Sequence, residues 1–168
     1  MVWTTPATPT LGQFVTSTYW DPQVKENLNY LKTQDDVVKY AQSAGNSSST
    51  SSTTILDVLS APAFTPVSAS RVLKITVHWR SLNVATDPGI YLVMIREGST
   101  KLNEQSHKVE TVGTGQQGGT LTHYVASPTA AAHTYKLSIQ RASGTGTAVV
   151  EADATYPMQI LVEDVGAA

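Results

Sequence analysis

From Thr54 onward the chain changes face at almost every residue. In the run "RVLKITVHW" (71–79), Leu73, Ile75, Val77 and Trp79 are apolar, whereas Lys74, Thr76 and His78 between them are polar, as is Arg80 just beyond. Side chains alternate across a strand but follow a 3.6-residue period around a helix, so this pattern can bury one face only if the chain is extended. "HTYKLSIQR" (133–141) repeats it, with Tyr135, Leu137 and Ile139 set against Lys136, Ser138 and Gln140. The first of these runs extends over 71–82, and further strand-like runs occupy 54–60, 89–98, 101–112, 119–127, 147–155 and 158–164. The turn signals "DPG", "EGS", "SGTG" and "YP" punctuate them. About eight short strands over about 115 residues predict a mainly β fold, an antiparallel β-sandwich or jelly-roll-like domain. One run, "GIYLVMIREG" (89–98), is apolar on both faces. Either a neighbouring subunit or the rest of its own domain has to cover its second side.

The front of the chain obeys other rules. "MVWTTPATPTLGQFV" (1–15) carries Pro6 and Pro9 among threonines, which predicts an extended N-terminal arm with Trp3, Leu11 and Phe14 available for docking. One amphipathic helix then begins near Asp21 and Pro22, an N-cap acceptor followed by a proline suited to the first helical position. Val24, Leu28, Leu31 and Val38 recur at steps of four, three and seven, with Asp35 where another apolar residue would fall. That spacing is the seam of a short coiled coil, and a single helix lying on its own sheet fits it as well. The polar tract "SAGNSSSTSST" (43–53) has nothing to bury and reads as a Ser/Thr-rich linker. The predicted organisation is therefore arm and helix over 1–42, linker over 43–53 and β-sandwich over 54–168.

Several functions are disfavoured. A net charge of -2, with no basic cluster interleaved with aromatic residues, offers no footprint for nucleic acid. No run of about 18 apolar residues is present to insert in a membrane, and "MVWTTPATPT" lacks the basic-then-apolar order of a secretory signal, so synthesis in a cytoplasm is expected. With no cysteine there is neither a disulfide framework nor a thiolate metal site. His78, His107, His123 and His133 are scattered without metal-ligand spacing, no G-x-S-x-G occurs, and the acidic residues match what solubility alone requires. "GTGQQGGT" (113–120) lacks the lysine and following helix of a phosphate loop and reads as a long hairpin loop; "EDVG" (163–166) is too sparse for a calcium site. No enzyme activity, cofactor or metal is expected.

Two segments carry a resemblance. "FVTSTYWDPQVKENLNYLK" (14–32) resembles a segment near the N-termini of small structural proteins of tailed bacteriophages, in which a Val-Thr start leads into an Asn-Leu-rich helix. "HTYKLSIQRASGTGTAVVEADATYPMQILVEDVG" (133–166) is similar to the end of the same group, with its Ser-Gly-Thr-Gly hairpin, Ala-Thr-x-Pro step and closing Glu-Asp-x-Gly. Asp21-Pro22 departs from the plain Asn-x dipeptide of that group, and 41–132 matches none of it. The resemblance implies a virion protein whose N-terminal region attaches to the particle or trimerises while a C-terminal β domain faces outward; it carries no catalytic residues. On that footing Trp3, Phe14, Tyr19 and Trp20 are expected to anchor the chain to other virion proteins, of capsid or tail. Val24, Leu28, Leu31 and Val38 are expected to join copies into a homotrimer. The leading expectation is a capsid decoration or head-fibre protein. The alternative is a tail-fibre module that recognises a host surface glycan through loops 83–89, 113–119 and 128–133, with Tyr91 and Tyr124 as its stacking rings.

Overall fold

The computed structural model describes Val24, Leu28 and residues 38–84, 88–110 and 118–167. The chain divides into two compact units, Met1–Val37 and Val38–Ala168. The second unit holds ten strands: β1 (Val38–Ser43), β2 (Leu56–Ser60), β3 (Arg71–Trp79), β4 (Ser81–Val84), β5 (Gly89–Glu97), β6 (Thr100–Val109), β7 (Gly119–Ala126), β8 (Tyr135–Gly144), β9 (Ala148–Glu151) and β10 (Met158–Ala167). They form two four-stranded sheets, ordered β1-β10-β3-β7 and β2-β8-β5-β6, and a small pair, β4-β9. Every pairing is antiparallel.

The chain crosses between sheets at nearly every step. Among the described strands only the β5–β6 pair joins sequence neighbours, through a two-residue turn in which Gly98 takes a positive φ of 55°. Successive strands laid alternately in two facing sheets give the two interlocked Greek keys of a jelly roll. The alternation in sequence becomes the core. Leu73, Ile75, Val77 and Trp79 from β3, Tyr135, Leu137 and Ile139 from β8, and Ile160 and Val162 from β10 are all completely buried in one cluster. Each removes enough apolar surface from water to be worth about 1.5–3 kcal/mol.

Trp79 fixes the local sequence around it. A Cβ on Gly119 would lie 2.6 Å from Trp79 Cζ2, and one on Gly118 would lie 2.0 Å from the Arg80 carbonyl oxygen. The end of the "GTGQQGGT" run is thus where β7 backbone lies directly against the indole. A bulge between Asp164 and Gly166 interrupts β10. There Asp164, whose side chain is only 1% exposed, accepts two bonds from Arg71 Nε at 2.9 and 2.8 Å and one from Gly166 N at 3.1 Å. The closing "EDVG" is therefore occupied in tying β10 to β3.

Three expectations change. The amphipathic helix is not seen as an element among the described residues. Val24 and Leu28 have helical geometry, but the rest of the segment up to Val37, Leu31 included, lies outside the described residues, and Val38 is the first residue of a strand paired with Glu163. Val38 thus leaves the helical seam, because its backbone bonds are made sideways to β10. Second, the Ser/Thr tract runs along β9 rather than hanging free: Ser47 N donates to Val150 O at 2.9 Å, Thr50 N to Ala148 O at 2.8 Å, and Ala148 N returns a bond to Thr50 O at 2.9 Å. Its side chains join in, Ser47 Oγ and Asn46 Oδ1 accepting from the amides of Val150 and Ala152 at 2.9 Å. Third, in β5 the inward residues are Tyr91, Val93 and Ile95, and Met94 on the opposite side is also completely buried within the single chain. Among the described residues no helix is long and apolar enough to cross a membrane.

Candidate binding surface

The outer face of the sheet β1-β10-β3-β7 is a regular lattice of side chains. Register places Val38, Glu163, Lys74 and Tyr124 in one row across the strands. Tyr40, Leu161, Thr76 and Thr122 form the next, and Gln42, Gln159, His78 and Thr120 the third. Their sequence neighbours on β3 and β10 point into the core, so strand parity sends these residues outward. Tyr124 and Tyr40 stand at 58% and 45% exposure, on the opposite edge strands β7 and β1 and one row apart.

Most polar groups on this face are held by one another. Tyr40 Oη donates to Gln42 Oε1 at 2.6 Å, the Thr76 and Thr122 hydroxyls meet at 3.3 Å, and His78 Nδ1 lies 3.0 Å from Thr120 Oγ1. The only two carboxylate or ammonium groups of the lattice pair with each other, Lys74 Nζ donating to Glu163 Oε2 at 3.0 Å. At the β7 edge, Asn103 from β6 donates its side-chain amide to Thr122 O at 2.9 Å and stitches the two sheets together.

The outer face of the other sheet is ionic. Asp57 accepts from Lys136 Nζ at 2.6 Å, Arg96 Nη1 at 2.9 Å and Ser138 Oγ at 2.8 Å. Burial alone would raise its pKa, but these hydrogen bonds and the two cations outweigh that and hold the carboxyl below its usual range. Glu151 is likewise lowered, by bonds from Ser81 and Asn83 at 2.7 Å that brace β4 against β9. Asp153 pairs with Arg80, whose guanidinium also lies 5.4 Å from the centre of the Tyr156 ring. Lys101 bonds Glu104, Lys108 bonds Glu110 and His133 bonds Glu97. Every described carboxylate thereby has an ion pair or a hydrogen bond. Among the described residues no group of three or more His, Asp or Glu side chains is placed to hold a metal ion.

A depression of about 460 Å³ opens where β5 begins and β6 and β8 end, lined by Pro88, Gly89, Ile90, Lys108, Val109, Glu110, Ser143 and Gly144. Gly144 has a φ of 85°, and a Cβ there would meet the Pro88 carbonyl oxygen at 2.5 Å, so the "SGTG" turn packs backbone to backbone on Pro88 and Gly89.

The sequence-derived site residues fall in different places. Tyr124 is on the exposed lattice. Tyr91 is not a contact residue: it faces inward from β5 and is completely buried. Val24 is half-buried and Leu28 is 59% exposed. Trp3, Phe14, Tyr19, Trp20 and Leu31, and the loop segments 85–87 and 111–117, lie outside the described residues. Tyr40 was missed because the arm-and-helix segment was extended over 1–42 and took it in; the alternation of Val38, Tyr40 and Gln42 was the signal for it.

No protein-family model matches the chain, and no curated protein sequence matches it. Among solved structures it is similar to Eiger TNF from S. frugiperda, at 10% identity and a TM-score of 0.43, covering 79% of this chain and 94% of that one. It is similar to the EclA C-terminal domain, a sugar-binding protein, at 10% identity and a TM-score of 0.36, covering 74% and 76%. It is also similar to VP2 of the infectious bursal disease virus subviral particle, at 13% identity and a TM-score of 0.42. That match covers 77% of this chain but only 37% of VP2. What makes the chain a jelly roll is its own strand order, β1-β10-β3-β7 facing β2-β8-β5-β6.

Proposed function

We propose that the chain is a non-enzymatic structural protein of a bacteriophage virion, a trimeric capsid-decoration or head-fibre protein that presents its jelly-roll unit at the particle surface. The observation that carries this reading is the strand order of the two sheets, an architecture that recurs in viral capsid domains and in lectins. The resemblance of segments 14–32 and 133–166 to small phage structural proteins supports the choice of particle. The full engagement of the described carboxylates in ion pairs and hydrogen bonds supports a structural role over a catalytic one. In this reading the arm, with Trp3, Phe14, Tyr19 and Trp20, attaches to other virion proteins. The exposed Leu28 belongs to the surface that joins copies of the chain.

One fold serves many functions, so the test is made on particles. Gold-labelled antibody raised against 54–168, viewed by electron microscopy on phage that carry the protein, should decorate the heads. Label confined to the tail would move the protein to the attachment apparatus, and particles without label would end the virion reading.

A further inference from the structure

The geometry points to the outer face of the sheet β1-β10-β3-β7 as a binding site for a neutral polysaccharide, with Tyr40 and Tyr124 as its stacking rings. This inference goes beyond placement on a particle and is the same whether the protein sits on a head or a tail. Size speaks first. Three inter-strand spacings by four residues of strand give a lattice about 14 Å on each side, about 200 Å². A stable protein interface takes about 800 Å² from each partner around an apolar, desolvated centre. Here the middle of the lattice is Leu161 and Thr76, with Thr122 and Gln159 beside them, an apolar contribution too small for such a centre.

Charge speaks next. The lattice carries one ammonium and one carboxylate, and they neutralise each other at 3.0 Å, so the face holds no unbalanced charge to attract a nucleic acid, an anionic lipid or an acidic peptide. Besides Val38 and Leu161, what remains is hydroxyl and amide chemistry between exposed aromatic rings on the two edge strands. That combination suits a chain of sugar rings, which offers apolar C–H faces to tyrosine and hydroxyls to Thr and Gln. The side chains are also pre-positioned: Tyr40 is held by Gln42, and Thr76 and Thr122 by each other, all on strands rather than loops, so little ordering entropy opposes binding. Single-site affinity on so small a face is weak, and several copies on one particle raise it through avidity.

The test uses the full chain and a panel of immobilised oligosaccharides, neutral glucans, mannans and galactans beside anionic hyaluronan fragments. At least one neutral glycan is expected to bind, with hyaluronan no tighter. Tyr40→Ala and Tyr124→Ala should each weaken that binding about tenfold, the value of one stacking contact. Both residues are exposed strand positions, and an unchanged circular dichroism spectrum verifies the fold. Lys108→Ala, an exposed position on β6 of the other sheet, should leave affinity unchanged. Failure of every neutral glycan at millimolar concentration overturns the proposal, and so does binding that survives the Tyr40/Tyr124 double substitution. A double variant whose only change is a smaller native mass would make the face a contact between copies and overturn it as well. None of these results bears on where antibody labels the particle.

Discussion

At the scale of single residues, the most consequential group is His133. Its Nδ1 meets a Glu97 carboxylate oxygen, and its Nε2 lies 2.9 Å from the Thr129 carbonyl and 3.2 Å from the Thr129 hydroxyl; the charged ring donates to both the carboxylate and the carbonyl, whereas a neutral ring donates to only one of them and can accept from the hydroxyl. The ring stacks on Tyr135 at 6.2 Å, and the backbone of His133 exchanges two bonds with Phe64. Burial disfavours the charged ring, but the bonds to Glu97 and Thr129 and the Glu97 charge outweigh it and raise the pKa above its ordinary 6.5. A raised folded-state pKa means that the stabilisation is fully present below pH 6.5 and is lost as pH rises through the folded value. Thermal unfolding should therefore give a wild-type midpoint that declines relative to His133→Gln as pH is raised from below 6.5 into the alkaline range. Parallel pH profiles for the two proteins would show that the imidazolium contributes nothing.

At the scale of elements, the Ser/Thr tract is the informative case. Composition made it a linker, because Ser, Thr and Gly bury no apolar surface and composition has no means of registering backbone partners. The structure supplies them from β9, and the Ala152 amide, in a residue only 7% exposed, depends on the Asn46 side chain. Asn46→Ala leaves that donor unsatisfied at a cost of about 1–3 kcal/mol. Residues 43–53 should resist limited proteolysis in the native protein and become the first site of cleavage in Asn46→Ala; early cleavage of the wild type would mean that the tract is loose. Similar reasoning explains what else was legible. The one-wet-face pattern of β3 and β8 placed Leu73, Ile75, Val77, Trp79, Tyr135, Leu137 and Ile139 correctly in the core, since parity follows directly from polarity. In β5, where both parities are apolar, polarity could not say which way Tyr91 points, and it points inward. In β1, the seven-residue step from Leu31 to Val38 outweighed a weak two-residue alternation, and tertiary pairing with β10 decided the outcome.

At the scale of the whole molecule, sequence named the fold class but not the strand order. Which strands lie side by side is fixed by long-range register, and the eight expected strands admit many arrangements. If the helical seam joins copies, Leu28→Lys with Leu31→Lys should lower the native mass from trimer to monomer while the β circular dichroism signal stays intact; an unchanged mass would assign association to other surfaces. The strand order has one more consequence, for the time course of folding. β10 lies between β1 and β3, and its register joins Val38 to Glu163. The ladder that completes this sheet can therefore zip up only after most of the chain has left the ribosome. Loop-closure entropy must be overcome before most strand pairings return any energy. Such a chain matures late and slowly, on the millisecond-to-second scale of high-contact-order domains, and until β10 arrives β1 and β3 present unpaired edges to every nascent neighbour.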